Sequence, residues 1–391
     1  MPEEVVLVSG VRTAVGKFGR AFRGISAQRL GAIVIKEALS RAGVPSDQVE
    51  EVIMGNVISA GLGQNPARQA AIFAGIPPET GAFTVNKVCG SGLKAVMLAA
   101  QAIKSGDADI VVAGGMESMS SAPHLIKEPR WGIKFGNFTA TDAMVHDGLW
   151  DVYNDYHMAM TGERVAEKFG ITRQEADRFA LLSHTRAFKA IQEGKFSEEI
   201  IPVQTSTGVV AEDECVRGDT SLDRLAALRP VFKEKGLLTA GNCSQLSDGA
   251  AALVVVSRKK ADELGLRPLA RIVDYTIGGT LPEDVMEAPI PTVKKLFKKT
   301  GLGMRDIDLV EYNEAYSTSA VVIARELVIK EEKFNIHGGA VALGHPIGCS
   351  GARILVTLLH SLKAGGLKRG LATLCLGGGN AVAIIIERTH S

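Results

Sequence analysis

The chain has 391 residues, 46% of them hydrophobic, and its 44 lysines and arginines nearly balance 43 aspartates and glutamates. This length allows two or three domains with substantial cores. A net charge of +1 provides no overall field that would attract nucleic acid or an anionic membrane surface, so we expect neither as a partner. No apolar run approaches the roughly 20 residues that span a bilayer, and the acidic start of the chain does not resemble a targeting peptide.

Five cysteines are spread along the chain, and no two stand at the close spacing of redox and zinc motifs. They are Cys89, Cys215, Cys243, Cys349 and Cys375. This pattern argues against a disulfide framework and against a zinc site. We therefore expect reduced thiols, a cytoplasmic location and no bound metal.

The first part of the chain alternates between strand and helix patterns. Residues 5–9 and 52–57 are rich in apolar and β-branched side chains, whereas residues 30–39 carry apolar side chains at helical spacing. A further strand at residues 110–113 is predicted to run into a turn at Gly114-Gly115. Alternation of this kind indicates a layered α/β domain.

One cysteine lies where a predicted strand meets a predicted helix. Residues 81–85 read as the strand, and apolar side chains at helical spacing between residues 93 and 103 mark the helix. Cys89 lies just before this helix, where free N–H groups and the positive end of the helix dipole favour a thiolate. From position alone, an inert buried cysteine is the alternative.

The pattern changes between residues 121 and 250. This stretch carries both tryptophans, irregular polar segments and an amphipathic helix predicted at residues 173–192. Its apolar content is sufficient to fold, so we predict an inserted domain and not a linker. Strand patterns then resume, and a second α/β unit begins near Leu269.

The second unit repeats features of the first. Ser91-Gly92-x-Lys94 and Ser350-Gly351-x-Arg353 each precede a predicted helix, and the same sequence separation relates Gly106 to Gly365. This repetition predicts two copies of one fold, joined so that their strand–helix turns meet in one cleft.

Three stretches of the second unit carry reactive groups. Asn313 follows a predicted strand, His345 lies in a glycine-rich turn, and Cys375 ends a strand just before three glycines. His345 is the candidate base for a thiol nucleophile, and Cys375 could activate a carbon acid. Asn313 and the backbone N–H groups of Cys89 and Gly377 could stabilise an oxyanion. Taken singly, these residues also fit a turn histidine, a core cysteine and a turn asparagine.

Four motifs taken together resemble the signature motifs of the thiolase family, in the family's order and spacing. They are Asn86-Lys87-Val88-Cys89-Gly90-Ser91-Gly92, Asn313-Glu314-Ala315, Gly344-His345-Pro346-Ile347-Gly348 and Cys375-Leu376-Gly377-Gly378-Gly379. The resemblance covers essentially the whole chain and implies a thiolase-like α/β fold. Two similar βαβαβαββ halves would pack as α/β layers around an inserted loop domain. The implied domains are residues 1–120 with 251–270, an inserted CoA-binding segment at 121–250, and residues 271–391.

The resemblance implies a two-step acyl transfer through a thioester on Cys89, in which two acetyl-CoA condense to acetoacetyl-CoA plus CoA. His345 would take the Cys89 proton, and Cys375 would remove a proton from the methyl carbon of the second acetyl-CoA. One oxyanion hole would consist of His345 and a water held by Asn313, and the other of the N–H groups of Cys89 and Gly377. This acetyl-CoA C-acetyltransferase reaction needs no cofactor besides its CoA thioester substrates.

The resemblance also identifies residues that would bind CoA. They are Leu149, His157, Met158, Arg217, Ser244, Ala315 and Tyr316. Arg217 stands in a polar run, so a solvated surface charge is its alternative. Because thiolases are dimers or dimers of dimers, we expect a homodimer or homotetramer.

The evidence on acyl chain length points in two directions. Residues 242–249 resemble degradative thiolases, whereas residues 123–150 resemble the loop of the biosynthetic group. A longer-chain 3-ketoacyl-CoA thiolase of β-oxidation therefore stays open beside an acetoacetyl-CoA enzyme. His337 departs from the Asn or Ser that the family usually has at that position, and we predict a structural role for it.

Three other classes fit the residues less well. Ketoacyl synthases and hydroxymethylglutaryl-CoA synthases lack a second base like Cys375. A non-catalytic scaffold subunit would have no need to keep Cys89, His345, Asn313 and Cys375. A Rossmann-type dehydrogenase is excluded because no Gly-x-Gly-x-x-Gly follows the first strand.

Overall fold

The structure, a computed structural model, describes residues 3–389, with the side chain of Glu128 left out. Residues 1–2 and 390–391 of the predicted domain ranges lie outside the described residues. The strands are β1 (Val5–Thr13), β2 (Gly16–Lys17), β3 (Glu51–Gly55), β4 (Gly81–Val85), β5 (Ile110–Ser118), β6 (His124–Leu125), β7 (Thr141–Asp142), β8 (Trp150–Asp151), β9 (Tyr156–His157), β10 (Ile200–Ile201), β11 (Val203–Thr205), β12 (Gly208–Val210), β13 (Ser247–Ser257), β14 (Ala270–Gly279), β15 (Leu309–Tyr312), β16 (Arg369–Leu376) and β17 (Asn380–Arg388).

The helices alternate with the longer strands. They are α1 (Ala27–Ala42), α2 (Pro66–Ala74), α3 (Ser91–Ser105), α4 (Ala159–Phe169), α5 (Arg173–Gln192), α6 (Leu222–Ala226), α7 (Arg258–Glu263), α8 (Pro289–Thr300), α9 (Ser317–Glu326), α10 (Ala340–Leu343) and α11 (Ile347–Ala364). Within residues 3–389, none of these helices combines the length and the apolar character needed to span a membrane.

The long strands form one mixed sheet that passes through both halves of the chain. Its order is β15-β16-β17-β14-β1-β13-β5-β3-β4, with β10 and β2 paired to its side. The two halves join at β1 and β14, where Val6 pairs with Arg271 and Leu7 with Ala270. Strand β3 is parallel to β4 and β5, and β15 is parallel to β16, because helices connect them.

Alternate side chains of each strand enter different cores. In β1, Val6 packs with α1 and α2, whereas Leu7 packs with α3 and α11. In β17, Ile384 belongs to this same α3–α11 core, and Ile385 faces a third core with α8 and α9. Helices α3 and α11 therefore form a central layer, with sheet on both sides and the other helices outside.

Two glycines allow the central helices to touch. A Cβ added at Gly92 in α3 would lie 2.7 Å from the backbone nitrogen of Ala352, and one at Gly351 in α11 would lie 2.5 Å from that of Leu93. The contact is reciprocal, since each glycine meets the residue that follows the other glycine. These are the glycines of the repeated motif, so the two copies of the fold meet near the N-terminal ends of their central helices, as the repeat predicted.

The segment between β5 and β13 folds as helices and short hairpins. Helix α5 covers the predicted residues 173–192. It begins with a capping box, in which the Thr172 hydroxyl accepts from the Glu175 N–H at 3.2 Å and the Glu175 carboxylate accepts from the Thr172 N–H at 2.8 Å. Helices α4 and α5 pack against α9, which anchors the segment to the second half.

Gly114 and Gly115 lie inside β5, and the turn predicted at these glycines is wrong. A Cβ at Gly114 would lie 2.0 Å from the carbonyl oxygen of Ala251, and one at Gly115 would lie 2.1 Å from that of Gly348. The glycines therefore allow β13 and α11 to approach the strand closely. A glycine pair in a buried strand and one in a turn look alike in sequence.

Candidate active site

Cys89 lies in the loop that joins β4 to α3. The preceding Val88 has a φ of +48°, a left-handed conformation that costs energy for a β-branched residue. Ser91 holds this turn, because its hydroxyl accepts from the Lys87 N–H at 2.8 Å and donates to the Val88 carbonyl at 2.6 Å. The turn and its hydrogen bonds fix the backbone on which the thiol is carried.

The Cys89 thiol is protonated at neutral pH. Burial and, second, the charge of Cys375 raise its pKa to about 12, although the backbone N–H groups of Gly377 and of Cys89 itself lower it. Cys89 also precedes Gly90, the N-cap of α3, so it stands outside the first turn of the helix. The thiolate expected from the helix dipole is therefore not the resting state, because the cost of burying the charge is larger.

His345 follows α10 and is held in one tautomer. Its Nδ1 lies 2.5 Å from the Ser350 hydroxyl, which itself donates to the Pro346 carbonyl at 2.9 Å. Nδ1 must then carry the hydrogen, and Nε2 carries the lone pair. Burial and the nearby Arg353 lower the pKa of His345 to about 3. His345 is therefore a neutral imidazole whose Nε2 can accept a proton.

Asn313 follows β15 and adjoins His345. Its Nδ2 lies 3.5 Å from His345 Nε2, and its backbone N–H donates to the Thr373 carbonyl at 3.3 Å. Its Oδ1 is buried and has no hydrogen-bond partner among residues 3–389. The amide therefore offers an acceptor next to the imidazole.

Cys375 lies near the end of β16, one residue before the strand ends. Its Sγ lies 3.8 Å from the Tyr312 hydroxyl and 3.7 Å from the sulfur of Met286. Burial raises the pKa of this thiol to about 11, so it too is protonated at neutral pH. The chain then turns through Gly377, whose N–H faces the Cys89 sulfur, before β17 begins.

Glu117 is a residue of the site's framework that the sequence reasoning missed. Its buried carboxylate accepts hydrogen bonds from Asn56 Nδ2 at 2.8 Å and from the N–H groups of Val57 at 3.1 Å, Ile58 at 3.2 Å and Gly348 at 2.9 Å. It thereby ties the first half to the turn after His345. Glu117 lies in the Met116-Glu117-Ser118 part of a glycine-rich stretch. An acidic residue within a buried strand is the sequence feature that could have indicated its role.

The reactive groups open into one cavity of about 480 Å³. Nine of the residues predicted for the site line it, namely Cys89, Leu149, Met158, Ser244, Ala315, Tyr316, His345, Cys375 and Gly377. Asn313 is fully buried and reaches the cavity only through His345. Residues more than 250 positions apart in sequence therefore meet where the two halves join.

A second cavity of about 330 Å³ adjoins the first and shares Leu149, Ser244, Tyr316, His345 and Ile347 with it. Its walls are mostly apolar. His157 lines it with its ring stacked on Phe232 at 4.6 Å between centroids. The Ala159 N–H donates to His157 Nδ1 at 3.1 Å, which leaves the hydrogen on Nε2.

Arg217 and His337 lie away from both cavities. Arg217 lines a separate cavity of about 120 Å³ next to His184, and its backbone N–H donates to His184 Nδ1 at 3.1 Å. The structure does not bring Arg217 together with the other predicted CoA-binding residues. His337 packs edge-on against Phe196, with 5.9 Å between ring centroids, and burial lowers its pKa.

The chemistry available at the 480 Å³ cavity is that of two thiols and an imidazole. A neutral imidazole and two cysteine thiols line the same cavity, and two backbone N–H groups point at the Cys89 sulfur. Within the described part of the chain, no group of three or more histidines, cysteines or acidic residues is placed to hold a metal ion. This arrangement suits covalent acyl transfer with a second proton-transfer step.

Two family models together match most of the chain. Residues 5–259 match the thiolase N-terminal domain, and residues 266–388 match the thiolase C-terminal domain. An acetyl-CoA acetyltransferase of Cupriavidus necator is 53% identical over 390 residues, which cover 98% of this chain and 99% of that protein. One of Chromobacterium violaceum is 52% identical over 98% of this chain and 100% of that protein.

A solved structure has the same fold. The crystal structure of the Bacillus anthracis acetyl-CoA acetyltransferase superposes with a TM-score of 0.97, covers 99% of each chain and is 41% identical in sequence. The fold and the cysteine–histidine cavity define an acyltransferase of the thiol-dependent kind. The chain belongs to the thiolase family.

Proposed function

We propose that the protein is an acetyl-CoA C-acetyltransferase, which reversibly condenses two acetyl-CoA to acetoacetyl-CoA plus CoA. The observation that carries this proposal is the convergence of Cys89, His345, Cys375 and the Gly377 N–H on one cavity. The names of relatives about 50% identical over the full chain support it.

In the first step, the Cys89 sulfur attacks the thioester carbonyl of acetyl-CoA while His345 Nε2 accepts the thiol proton. The negative charge that forms on the carbonyl oxygen is stabilised by the N–H groups of Cys89 and Gly377. The C–S bond to CoA then breaks and leaves an acetyl thioester on Cys89. Cys375, a thiol at neutral pH, gives its proton to the departing CoA thiolate and becomes a base.

In the second step, the Cys375 thiolate removes a proton from the methyl carbon of another acetyl-CoA. The protonated His345 and a water bound to Asn313 stabilise the enolate oxygen. The carbon attacks the acetyl group on Cys89, acetoacetyl-CoA forms, and Cys89 recovers its proton from His345. Thiolysis follows the same steps in reverse.

The second cavity suits the pantetheine arm of CoA. Its apolar walls and the stacked rings of His157 and Phe232 fit a flexible chain that carries few polar groups. It joins the reactive cavity at Leu149, Ser244 and Tyr316, where the thioester would lie. Arg217 lines a separate cavity and would contact the remote, charged end of CoA.

A longer-chain 3-ketoacyl-CoA thiolase is the second candidate. The reactive cavity is also lined by Val285 and Val152, and its volume of about 480 Å³ is more than an acetoacetyl group occupies. This space supports entry of a longer acyl chain.

The test is thiolytic cleavage with free CoA, comparing acetoacetyl-CoA with a long-chain 3-ketoacyl-CoA, with Cys89→Ala as the blank. We expect cleavage of acetoacetyl-CoA to be much the faster. Faster cleavage of the long chain would move the protein to β-oxidation. Absence of Cys89-dependent cleavage would contradict both assignments and favour a non-catalytic scaffold.

We also propose a homodimer that pairs into a homotetramer. Strand β4 is the last strand of the sheet, and one of its edges pairs with no strand among residues 3–389; Phe83 and Phe73 are exposed nearby. A second apolar patch includes Trp131 and Phe135, which are 88% and 101% exposed. Light scattering should give four times the 41.4 kDa chain mass.

A cytoplasmic location is supported by the five cysteines, all of which are free.

A further inference from the structure

Tyr316 lies where the two cavities meet, and it lines both of them. It is the N-cap residue of α9 and is only 7% exposed. Its ring packs against Gly162, where an added Cβ would lie 2.8 Å from the ring. Its backbone pairs with Cys243. The ring therefore lies against Gly162, and the backbone that carries it is fixed at Cys243.

The Tyr316 hydroxyl has no hydrogen-bond partner among residues 3–389, yet it is not sealed inside the protein. The contrast is Tyr312, whose hydroxyl donates to Ser319 Oγ at 3.1 Å and approaches Cys375. Buried tyrosine hydroxyls usually find a partner, because an unpaired one loses the hydrogen bonds that it makes in water. A phenylalanine ring would fill the same space without that loss.

The second cavity, which Tyr316 lines, has mostly apolar walls that include Leu149, Ile347 and Cys243. The polar residues Thr239, Ser244 and Gln245 also line it, but no hydrogen bond joins them to the Tyr316 hydroxyl. Burial, followed by the nearby thiols, raises the pKa of Tyr316 well above its ordinary value, so the hydroxyl remains neutral. A polar partner for it must come from what occupies the cavity, either the substrate or a water retained beside a small substrate.

We propose that the Tyr316 hydroxyl is a specificity-determining group, which favours the compact acetoacetyl thioester over thioesters that place additional hydrocarbon against it. When the acyl group is small, the polar partner of the hydroxyl stays in place. An added alkyl group displaces that partner and leaves the hydroxyl unpaired, which is the kind of penalty by which sites reject close analogues. The inference rests on the proposed function and deepens it.

The test compares wild type with Tyr316→Phe, which keeps the ring and removes only the hydroxyl. Thiolysis is measured for acetoacetyl-CoA, for 3-oxohexanoyl-CoA and for an acetoacetyl-CoA with a methyl group on C2. We expect kcat/KM for at least one larger thioester to rise about tenfold relative to acetoacetyl-CoA. The probe that responds identifies the part of the substrate facing the hydroxyl. Unchanged ratios for both larger thioesters would overturn the proposal, as would an equal fall in kcat for all three substrates.

Tyr275→Phe is the matched control, because Tyr275 lines neither cavity and its ring lies near Lys104 and Lys299. It should leave the substrate ratios unchanged. Thermal unfolding of the Tyr316→Phe protein should match wild type and so exclude a folding defect. If wild type cleaves no acetoacetyl-CoA, the proposed function has failed. If wild type cleaves it and the variant keeps the same ratios, only the present inference has failed.

Discussion

The Cys89 thiol and the His345 imidazole are both uncharged at rest. Burial raises the pKa of Cys89 to about 12 and lowers that of His345 to about 3, so a thiolate–imidazolium pair is disfavoured between these values. Proton transfer must then accompany the attack of sulfur on the thioester.

His345→Ala should slow the acylation of Cys89 by roughly a hundred- to ten-thousand-fold, the usual contribution of a general base. The pH dependence of Cys89 alkylation by iodoacetamide should move little, because a neutral imidazole supplies no positive charge. Single-turnover release of CoA measures the first quantity, and mass spectrometry of alkylated protein measures the second. A large shift of the alkylation curve to higher pH would mean that the pair is ionised at rest.

Glu117→Gln should lower the free energy of unfolding by about 3 kcal/mol, because an amide NH₂ would face N–H donors of a buried network. The turn carrying Gly348 would also lose its tie to the first half, so kcat should fall. Urea denaturation and steady-state kinetics check these two effects.

Glu37→Gln is the matched control for that change. Glu37 pairs with Arg41 on an exposed face of α1, and both side chains are more than 30% exposed. Surface pairs of this kind contribute about 1 kcal/mol or less. Equal losses in the two variants would contradict the bridging role of Glu117.

The crossing of α3 and α11 places the two reactive loops side by side, and it depends on glycine at both contact points. Gly92→Ala or Gly351→Ala should each lower the free energy of unfolding by about 3 kcal/mol, because the added methyl group meets backbone and not a flexible side chain. Urea denaturation measures the loss. Gly303→Ala, where the methyl group would meet only Asp306 Oδ2 at 3.9 Å, should cost about 1 kcal/mol or less. A tolerated Gly92→Ala would mean that the helices can separate without cost.

Elements with strong local patterns were predicted closely. The predicted boundaries of β4 at residues 81–85 and of α5 at residues 173–192 match the structure. The predicted turn at Gly114-Gly115 was wrong, because the demand for glycine there comes from β13 and α11, which are distant in sequence. A local sequence pattern therefore predicts an element when interactions within that element form it. The pattern fails when packing against a distant segment determines which residue is needed.

At the scale of the whole molecule, the pH dependence of stability reports on buried histidines. Burial and the charge of Arg217 lower the pKa of His184 to about 4 in the folded protein, against about 6.5 when unfolded. Below pH 6.5 the unfolded chain takes up a proton that the folded chain refuses. The contribution of His184 is therefore complete above pH 6.5 and is lost as the pH falls towards 4.

His184→Gln removes that titration while other groups titrate equally in both proteins. The unfolding free energy of wild type minus that of the variant should therefore fall as the pH is lowered from 7 to 4.5. Guanidinium unfolding at several pH values measures this difference. A difference independent of pH would mean that His184 binds its proton equally well in both states.

The sequence by itself determined the chemistry and the fold class. Cysteines, histidine and asparagine in glycine-rich motifs, with a repeated Ser-Gly-x-Lys/Arg, predicted the thiolase-like duplication, and the family resemblance that they carry named nine of the residues that line the reactive cavity. These features are short motifs or repeats along the chain, so they can be recognised in the sequence without knowing which segments pack together. The repeat predicted that the strand–helix turns of the two copies meet in one cleft, and the family resemblance assigned Cys89 and Cys375 to it.

Only the tertiary structure decided the protonation states of the reactive groups, the role of Glu117 and the position of Arg217. Burial, which makes Cys89 and His345 neutral, is a property of the folded surroundings and leaves no mark on the motifs. The bridge of Glu117 to the second half and the separation of Arg217 from both cavities likewise depend on how distant segments pack. Desolvation and close approach arise only when segments far apart in sequence meet, and for that reason the chain alone could not reveal them.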